Sequence, residues 1–319
     1  MASPDRRRRI VFVAANPSID RLYEVDRLVD GSIHRPTVVV ARPGGKGLNA
    51  ARAAAALGAR VTAAGIVGGR SGDWIVDRLA EIGVEARMAR ADAETRTCVS
   101  ILDRSTGALT ELYEPGEAIE PGAWDLLEAL VALELDRGDV GALAFSGSLP
   151  PGAPTNGYAR VARIAAARSV PVLADTYGPA LADVLAERPT VIKVNAAEAG
   201  DAVGMTVGDA AAAVAAARVL IDRGAVGVVV TLGIAGAVAV SSAGEARLDP
   251  PDVRGAYPVG SGDAFLAGLA SALVDGAPLV KAARIGMAAG IANALLPGAG
   301  DLDRATAERL VPGVAVTLL

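Results

Sequence analysis

One cysteine and one histidine are all that the 319 residues supply of the two side chains most used for metal binding and nucleophilic attack. Cys98 alone forms no intramolecular disulfide; it reads as a small buried apolar residue in a chain suited to a reducing cytoplasm. A zinc site of several His or Cys ligands is excluded by count. A Ser-His-Asp or Cys-His site would have to be built around His34, and no Gly-x-Ser-x-Gly elbow supports one. His34 lies in turn-like Gly31-Ser-Ile-His-Arg35 and is expected at the surface or in a hydrogen bond. Aromatic residues make up 3% of the chain, too few for the stacking platforms of single-stranded nucleic acid. The net charge of −5 argues against nucleic-acid and anionic-membrane partners. No apolar run approaches the roughly 18 residues of a membrane span. The basic stretch Arg6–Arg9 precedes Ile10-Val11-Phe12-Val13, but Asn16, Asp20 and Arg21 soon interrupt the apolar run. It therefore reads as a solvated tail feeding a buried strand, not as a secretory signal.

What the chain has in quantity is apolar residues, 52%, and glycine, 37 in all. Short β-branched runs at Ile10–Ala15, Val61–Val67, Gly141–Phe145, Val170–Ala174, Val191–Val194 and Val226–Leu232 are apolar nearly throughout, as strands covered on both faces are. Between them, Gly47–Leu57, Asp73–Ile82, Trp124–Leu135, Thr155–Arg168 and Asp209–Arg223 carry helical patterning, and a late helix is expected over Ile285–Leu295. This alternation predicts an α/β fold, a mostly parallel central sheet with helices on both faces. Two regions break the rhythm, residues about 19–42 and about 94–114. The second has the form of a β-hairpin around Arg104-Ser-Thr-Gly107. Both are expected to form one small antiparallel sheet, a candidate lid on a single body spanning 1–319, since no linker or repeat divides the chain.

Several stretches could carry chemistry. Asn16-Pro-Ser-Ile-Asp20 follows the first strand, where α/β sheets collect ligands, and Asp20 could accept hydrogen bonds from sugar hydroxyls or close an Asx turn. Gly44-Gly-Lys-Gly-Leu-Asn49 opens a helix and combines close backbone approach with the mobile charge of Lys46. It is neither a P-loop nor a dinucleotide fingerprint, so its spacing alone leaves a structural turn open. Glu94-Thr-Arg-Thr97 offers Arg96 as a fork for phosphate or carboxylate, or as a strand-edge arginine. Asn195 and Glu198, three apart at a helix start, could hold a hydrated magnesium ion or form a capping box. Thr231-Leu-Gly-Ile-Ala-Gly236 is a hairpin turn against which a nucleotide could also lie. In Pro258-Val-Gly-Ser-Gly-Asp263 a glycine turn becomes a helix, so its N–H groups and the helix dipole favour an anion. Asp263 is either a helix cap or a carboxylate, kept ionised by that dipole, that takes a proton from an attacking hydroxyl.

Taken in order, Asn16-Pro-x-x-Asp20, Gly44-Gly-Lys-Gly-Leu-Asn49, Glu94-Thr-Arg-Thr97, Ser146-Gly-Ser-Leu-Pro150, Asp175-Thr-x-Gly178, Lys193-x-Asn-x-x-Glu198, Thr231-x-Gly233 and Gly260-x-Gly-Asp263 span nearly the whole chain. This series resembles the PfkB/ribokinase family of sugar kinases, and within it the branch of 1-phosphofructokinases and tagatose-6-phosphate kinases. The resemblance implies a Rossmann-like ribokinase fold with a β-sheet lid, ATP and Mg2+ as cofactors, and a sugar phosphate as acceptor, fructose-1-phosphate first and tagatose-6-phosphate second. It implies Asp263 as the general base and Gly260, Ser261 and Gly262 as the anion hole. Asp20, Gly44, Gly45, Lys46, Asn49 and Ser146 fall to the sugar, with Arg96 on its phosphate. Asn195, Thr231, Gly233, Gly236, Gly262 and Asn293 fall to ATP, and Asn195 with Glu198 to magnesium through water. A homodimer through the lid is implied in the same way, while the cytoplasmic location is expected from the single cysteine. The chain departs from the family pattern at Tyr257-Pro258, where threonine is usual before the glycine turn, at Ser261 for alanine and at Val194 for proline; Cys98, Ser100, Tyr113 and Glu117 differ on the acceptor side. A dinucleotide oxidoreductase is disfavoured by the missing fingerprint, and a binding protein that has lost catalysis by the presence of Asp263 and its glycines.

Overall fold

The computed structural model describes residues 8–319. The first half of the chain runs β1 (Arg9–Ala14), β2 (Ser18–Val25), β3 (Val38–Gly44), α1 (Lys46–Ala56), β4 (Val61–Gly68), α2 (Gly69–Glu81), β5 (Glu85–Ala91), β6 (Thr97–Asp103), β7 (Leu109–Tyr113), α3 (Pro121–Leu135) and β8 (Val140–Ser146). The second runs α4 (Gly157–Ala166), β9 (Val172–Asp175), α5 (Gly178–Ala186), β10 (Val191–Asn195), α6 (Ala196–Val203), α7 (Ala210–Asp222), β11 (Gly227–Thr231), β12 (Ala237–Ser241), β13 (Gly244–Asp249), α8 (Ser261–Val274), α9 (Leu279–Ala294), α10 (Arg304–Leu310) and β14 (Ala315–Leu318).

Ten strands form one sheet in the order β14-β13-β12-β11-β10-β9-β8-β1-β4-β5, parallel from β5 to β11 and antiparallel from β11 to β14. Its two faces follow from strand alternation. Along β1, Ile10, Phe12 and Ala14 join the core that holds α1, α8 and α9, while Val11 and Val13 join the core that holds α3, α4 and α7. Every residue of β1 and β4 is buried, which is why both read as unbroken apolar runs.

The smaller sheet has the order β3-β2-β6-β7 and is built from the two insertions. It is not wholly antiparallel as expected: β2 pairs with β6 in parallel, Ile19 beside Thr97 through Val25 beside Asp103. The reason is that each insertion forms its own hairpin-like pair and the two dock side by side in the same direction. The basic stretch also needs correction. Arg6 and Arg7 lie outside the described residues, but Arg9 is 3% exposed and sits between Glu134 and Asp139 at the start of β1. A buried guanidinium is tolerated there because carboxylates on neighbouring elements pair with it.

Candidate active site

The parallel strands β1, β8, β9, β10 and β11 all end on the same side of the sheet, and order reverses at β1, between β8 and β4. Crevices form at such switch points. Two clefts lie there, the larger about 670 Å³ and the smaller about 430 Å³. Both touch the turn that leads into α8, and the turn divides them. Gly260 and Asp263 face the larger cleft; Pro258, Ser261 and Gly262 face the smaller. Gly260 adopts φ 83°, and a Cβ there would stand 2.6 Å from the Gly300 nitrogen, so only glycine fits the turn.

The larger cleft gathers residues distant in sequence. Asp263 is 5% exposed and accepts from Asn49 Nδ2 at 3.2 Å and from Ser146 Oγ at 3.4 Å. The same Asn49 amide donates to Asp20 Oδ2 at 3.3 Å, so one side chain bridges the two carboxylates. Asp20 further accepts from Ser18 Oγ at 2.6 Å and from the Gly45 N–H at 3.3 Å. Its carboxylate lies where a side chain on Gly44 would be, with Cγ 2.0 Å from a Cβ built there. Asn49 lines the cleft, and its Oδ1 is buried with no hydrogen-bond partner among the described residues. Lys46 enters the same space, its Nζ 3.6 Å from Glu198 Oε1 and 5.6 Å from the centre of the Tyr177 ring.

Electrostatics sets the protonation of this group. Burial, reinforced by Asp175 and opposed by Lys46 and Lys193, pushes the Asp263 carboxyl up to about 7. Burial therefore works against the expectation that the helix start keeps it simply ionised. Burial also raises Asp20, against its hydrogen bonds from Ser18, Asn49 and Gly45. Burial alone would lower Lys46, yet Asp175, Asp263 and Glu198 together raise it, so it stays cationic.

Arg96 is not a solvated edge residue. Its guanidinium donates to the Glu114 carbonyl at 2.9 Å and the Asn16 carbonyl at 3.1 Å, and Nε is buried without a partner. Cys98 lines the same cleft, 6% exposed, its thiol raised mainly by burial. His34 lies elsewhere, closing its own turn with Nε2 3.0 Å from the Val29 carbonyl oxygen.

The smaller cleft holds Thr231, Gly233 and Gly236 against Pro250–Gly255 and the α9 face of Met287, Gly290 and Ile291. Two sequence assignments are corrected here. Asn293 is fully buried and does not line the cleft; its Nδ2 donates to the Val259 carbonyl at 2.9 Å and its Oδ1 accepts from the Gly300 N–H at 2.7 Å. It braces the turn from behind. The Ser261 N–H donates to the Pro258 carbonyl at 3.2 Å, so the unpaired donors at the start of α8 are those of Gly262 and Asp263. Asn195 and Glu198 form the capping box of α6, each accepting the other's backbone N–H at 2.9 Å. Glu198 Oε1 remains outside that exchange and faces Lys46.

Sequence reasoning gave no role to Asp175 and Lys193, which form a buried ion pair of 2.7 Å directly behind the turn. A Cβ on Gly262 would stand 3.0 Å from Lys193 Nζ, so the glycine lets the turn lie on that ammonium. The signal was present, since each opens one of the quoted motifs, Asp175 at the end of β9 and Lys193 two residues before the end of β10. The α9 residues of the smaller cleft carried none, being ordinary apolar helix positions.

An α/β body whose strand ends present a buried carboxylate at a helix N-terminus, beneath a four-stranded lid, has the layout of a kinase acting on small hydroxyl compounds. The sequence matches the pfkB family carbohydrate kinase over residues 13–305. The chain belongs to that family and is an ATP-dependent sugar kinase. It is 33% identical over 318 residues to a 1-phosphofructokinase of Xanthomonas campestris pv. campestris, covering 97% of each chain. It is 34% identical over 280 residues to a 1-phosphofructokinase of Rhodobacter capsulatus, covering 88% of each. Its fold matches phosphofructokinase-2 of Escherichia coli in complex with fructose-6-phosphate, with a TM-score of 0.86 at 28% identity, over 96% of this chain and 98% of that one. The expected central sheet and lid are thus those of solved sugar kinases. Among the described residues no helix is long and apolar enough to cross a membrane.

Proposed function

We propose that this kinase transfers the terminal phosphoryl group of ATP to a hydroxyl of fructose-1-phosphate, with Asp263 as the general base. The observation that carries the reading is the division of one turn between two clefts, Asp263 facing the larger and Gly262 the smaller. An acceptor hydroxyl in the larger cleft is oriented by Asp20 and Asn49, both of which line it. Asp263 takes its proton as the new O–P bond forms and the bond to ADP breaks. Charge on the transferring phosphoryl oxygens meets the Gly262 and Asp263 N–H groups, the α8 dipole and Lys46. Arg96 holds the acceptor's own phosphate. The nucleotide lies along Thr231, Gly233 and Gly236.

The donor set suits magnesium. No cluster of three or more His, Cys, Asp or Glu that could cage a metal exists among the described residues, and Mg2+ bound to nucleotide keeps most of its waters. Asn195 and Glu198 would hold it through water, and Asp175 Oδ1 is a further buried acceptor without a partner among the described residues. When bound, the ion neutralises phosphate charge. EDTA should abolish turnover and added Mg2+ restore it. A single free cysteine suits a cytoplasmic enzyme. Val39 and Leu112, 60% and 57% exposed on the lid's outer face, support a homodimer through the lid; Leu112→Glu should yield a monomer by sedimentation.

A coupled ADP-release assay over fructose-1-phosphate, tagatose-6-phosphate, fructose-6-phosphate and free sugars tests the assignment. The highest kcat/KM is expected with fructose-1-phosphate. Preference for tagatose-6-phosphate, the reading that Cys98 and Ser100 favour, would change the acceptor; turnover of no sugar phosphate would overturn the proposal.

A further inference from the structure

Tyr257 has no part in the chemistry above, yet it is the residue by which this chain departs from the family pattern just before the glycine turn. We propose that Tyr257 is a positioning residue for the acceptor: through Glu24 it fixes strand β2, and with it Asp20, relative to the turn that carries Gly260 and Asp263.

The Tyr257 hydroxyl donates to Glu24 Oε1 at 2.7 Å, across a separation of 233 residues. Glu24 is 5% exposed, and that is its carboxylate's one hydrogen bond among the described residues. A buried carboxylate is costly unless bonded, so the contact is not a casual surface one. Asp20, Leu22 and Glu24 alternate along β2 and share its body-facing side. Asp20 stands in the acceptor cleft at one end, and Glu24 meets Tyr257 about 13 Å further along. Between them lies a narrow seam of about 40 Å³, where Leu22 and Val40 of the lid face Tyr257 and Val259.

The other end of Tyr257 is anchored without its side chain. Its backbone N–H donates to the Ala294 carbonyl at 3.0 Å, holding the segment on α9. Removing the phenol therefore releases the lid strand and leaves the nucleotide side in place. A second link runs parallel to it: Arg42 of β3 donates to Asp301 at 2.8 Å, next to the Ala299–Gly300 segment packed on Gly260. Both links tie the lid to the segments that shape the turn, and Tyr257 is the one that acts on the strand bearing Asp20.

The inference rests on reading the larger cleft as the acceptor site. It is tested by kcat and KM for both substrates, with thermal midpoints, in the wild type, Tyr257→Phe, Glu24→Gln and the double variant Tyr257→Phe/Glu24→Leu. The double variant replaces both partners by apolar groups, which leaves stability nearly unchanged, so its kinetics report position and not unfolding. A roughly three- to tenfold rise in the sugar-phosphate KM is expected in Tyr257→Phe and in the double variant, the size of one lost hydrogen bond. The ATP KM should stay within about twofold, and Glu24→Gln, which keeps an acceptor oxygen, should retain the wild-type values. A double variant with the wild-type sugar-phosphate KM, or an equal shift in the ATP KM, overturns the proposal. A wild type inactive on every sugar phosphate overturns the acceptor reading itself, a result distinguishable from an active double variant.

Discussion

The two clefts on either side of the Pro258–Asp263 turn are built by opposite means. The larger cleft, proposed for the acceptor, gathers charged and amide side chains, Asp20, Lys46, Asn49, Arg96 and Asp263, converging from the lid, α1 and α8. The smaller cleft, proposed for the nucleotide, is lined mostly by glycines, prolines and apolar positions, Gly236, Pro250, Gly290 and Ile291 among them, with Asp252 and Arg254 its charged residues. A site that binds by oriented hydrogen bonds rejects analogues lacking one group by large factors, whereas an apolar slot discriminates by only about tenfold or somewhat more per missing group. On the proposed reading, selectivity is expected from the acceptor side and tolerance of substitution from the nucleotide side.

Four variants should separate the two sides. Asp263→Asn, at the boundary, should lower the rate about 10²- to 10⁴-fold while the ATP Kd by calorimetry stays near the wild type. It should also melt higher than the wild type at pH 8. Folding raises the Asp263 carboxyl from 3.8 to about 7, so the folded state holds its proton more tightly than the unfolded one. Stability is then lost as pH climbs through that window, and the neutral amide escapes the loss. Arg96→Ala should raise the KM for a phosphorylated sugar about tenfold or more, by loss of a charge-assisted contact. Its effect on an unphosphorylated sugar should be slight, and a silent Arg96→Ala with the phosphosugar would remove the phosphate assignment. The Tyr257→Phe effect on the acceptor KM is expected to be smaller. Ile291→Ala should do least, raising the ATP KM about two- to fivefold with the acceptor KM unmoved, as the loss of about one buried methylene's worth of contact does. If Ile291→Ala instead altered acceptor KM, the two clefts would not be independent.

The same contrast decides what the sequence disclosed. Strands such as β1 and β4 were legible because burial on both faces leaves an unbroken apolar run. β5, Glu85-Ala-Arg-Met-Ala-Arg-Ala91, was not, because at the sheet edge Glu85, Arg87 and Arg90 break the apolar run and both faces mix charged with apolar residues. The parallel pairing of β2 with β6 was hidden since nothing local records which hairpin docks on which. Polar residues near the starts of β2, α1 and α8 made Asp20, Lys46, Asn49 and Asp263 candidates, and all four line the larger cleft. Asn293 was misplaced because a buried amide bracing a turn has the same residue type as one touching a ligand. Met287 and Gly290 gave no sign, since apolar helix positions look alike whether they face a core or a cleft. The ionisation of Asp263 could not be read either; it depends on burial and on Asp175, distant in sequence.

The central claim is that Asp263 acts as a base whose burial holds its carboxyl near neutrality. The pH dependence of kcat/KM for fructose-1-phosphate, measured on wild type and Asp263→Asn together, tests it most directly. Only the carboxylate can take the proton, so the wild-type value should fall about tenfold per pH unit below about 7 and level off above it. In Asp263→Asn the residual rate should lose that limb. A wild-type profile flat from pH 5.5 to 8, or the same limb persisting in Asp263→Asn, would contradict the account.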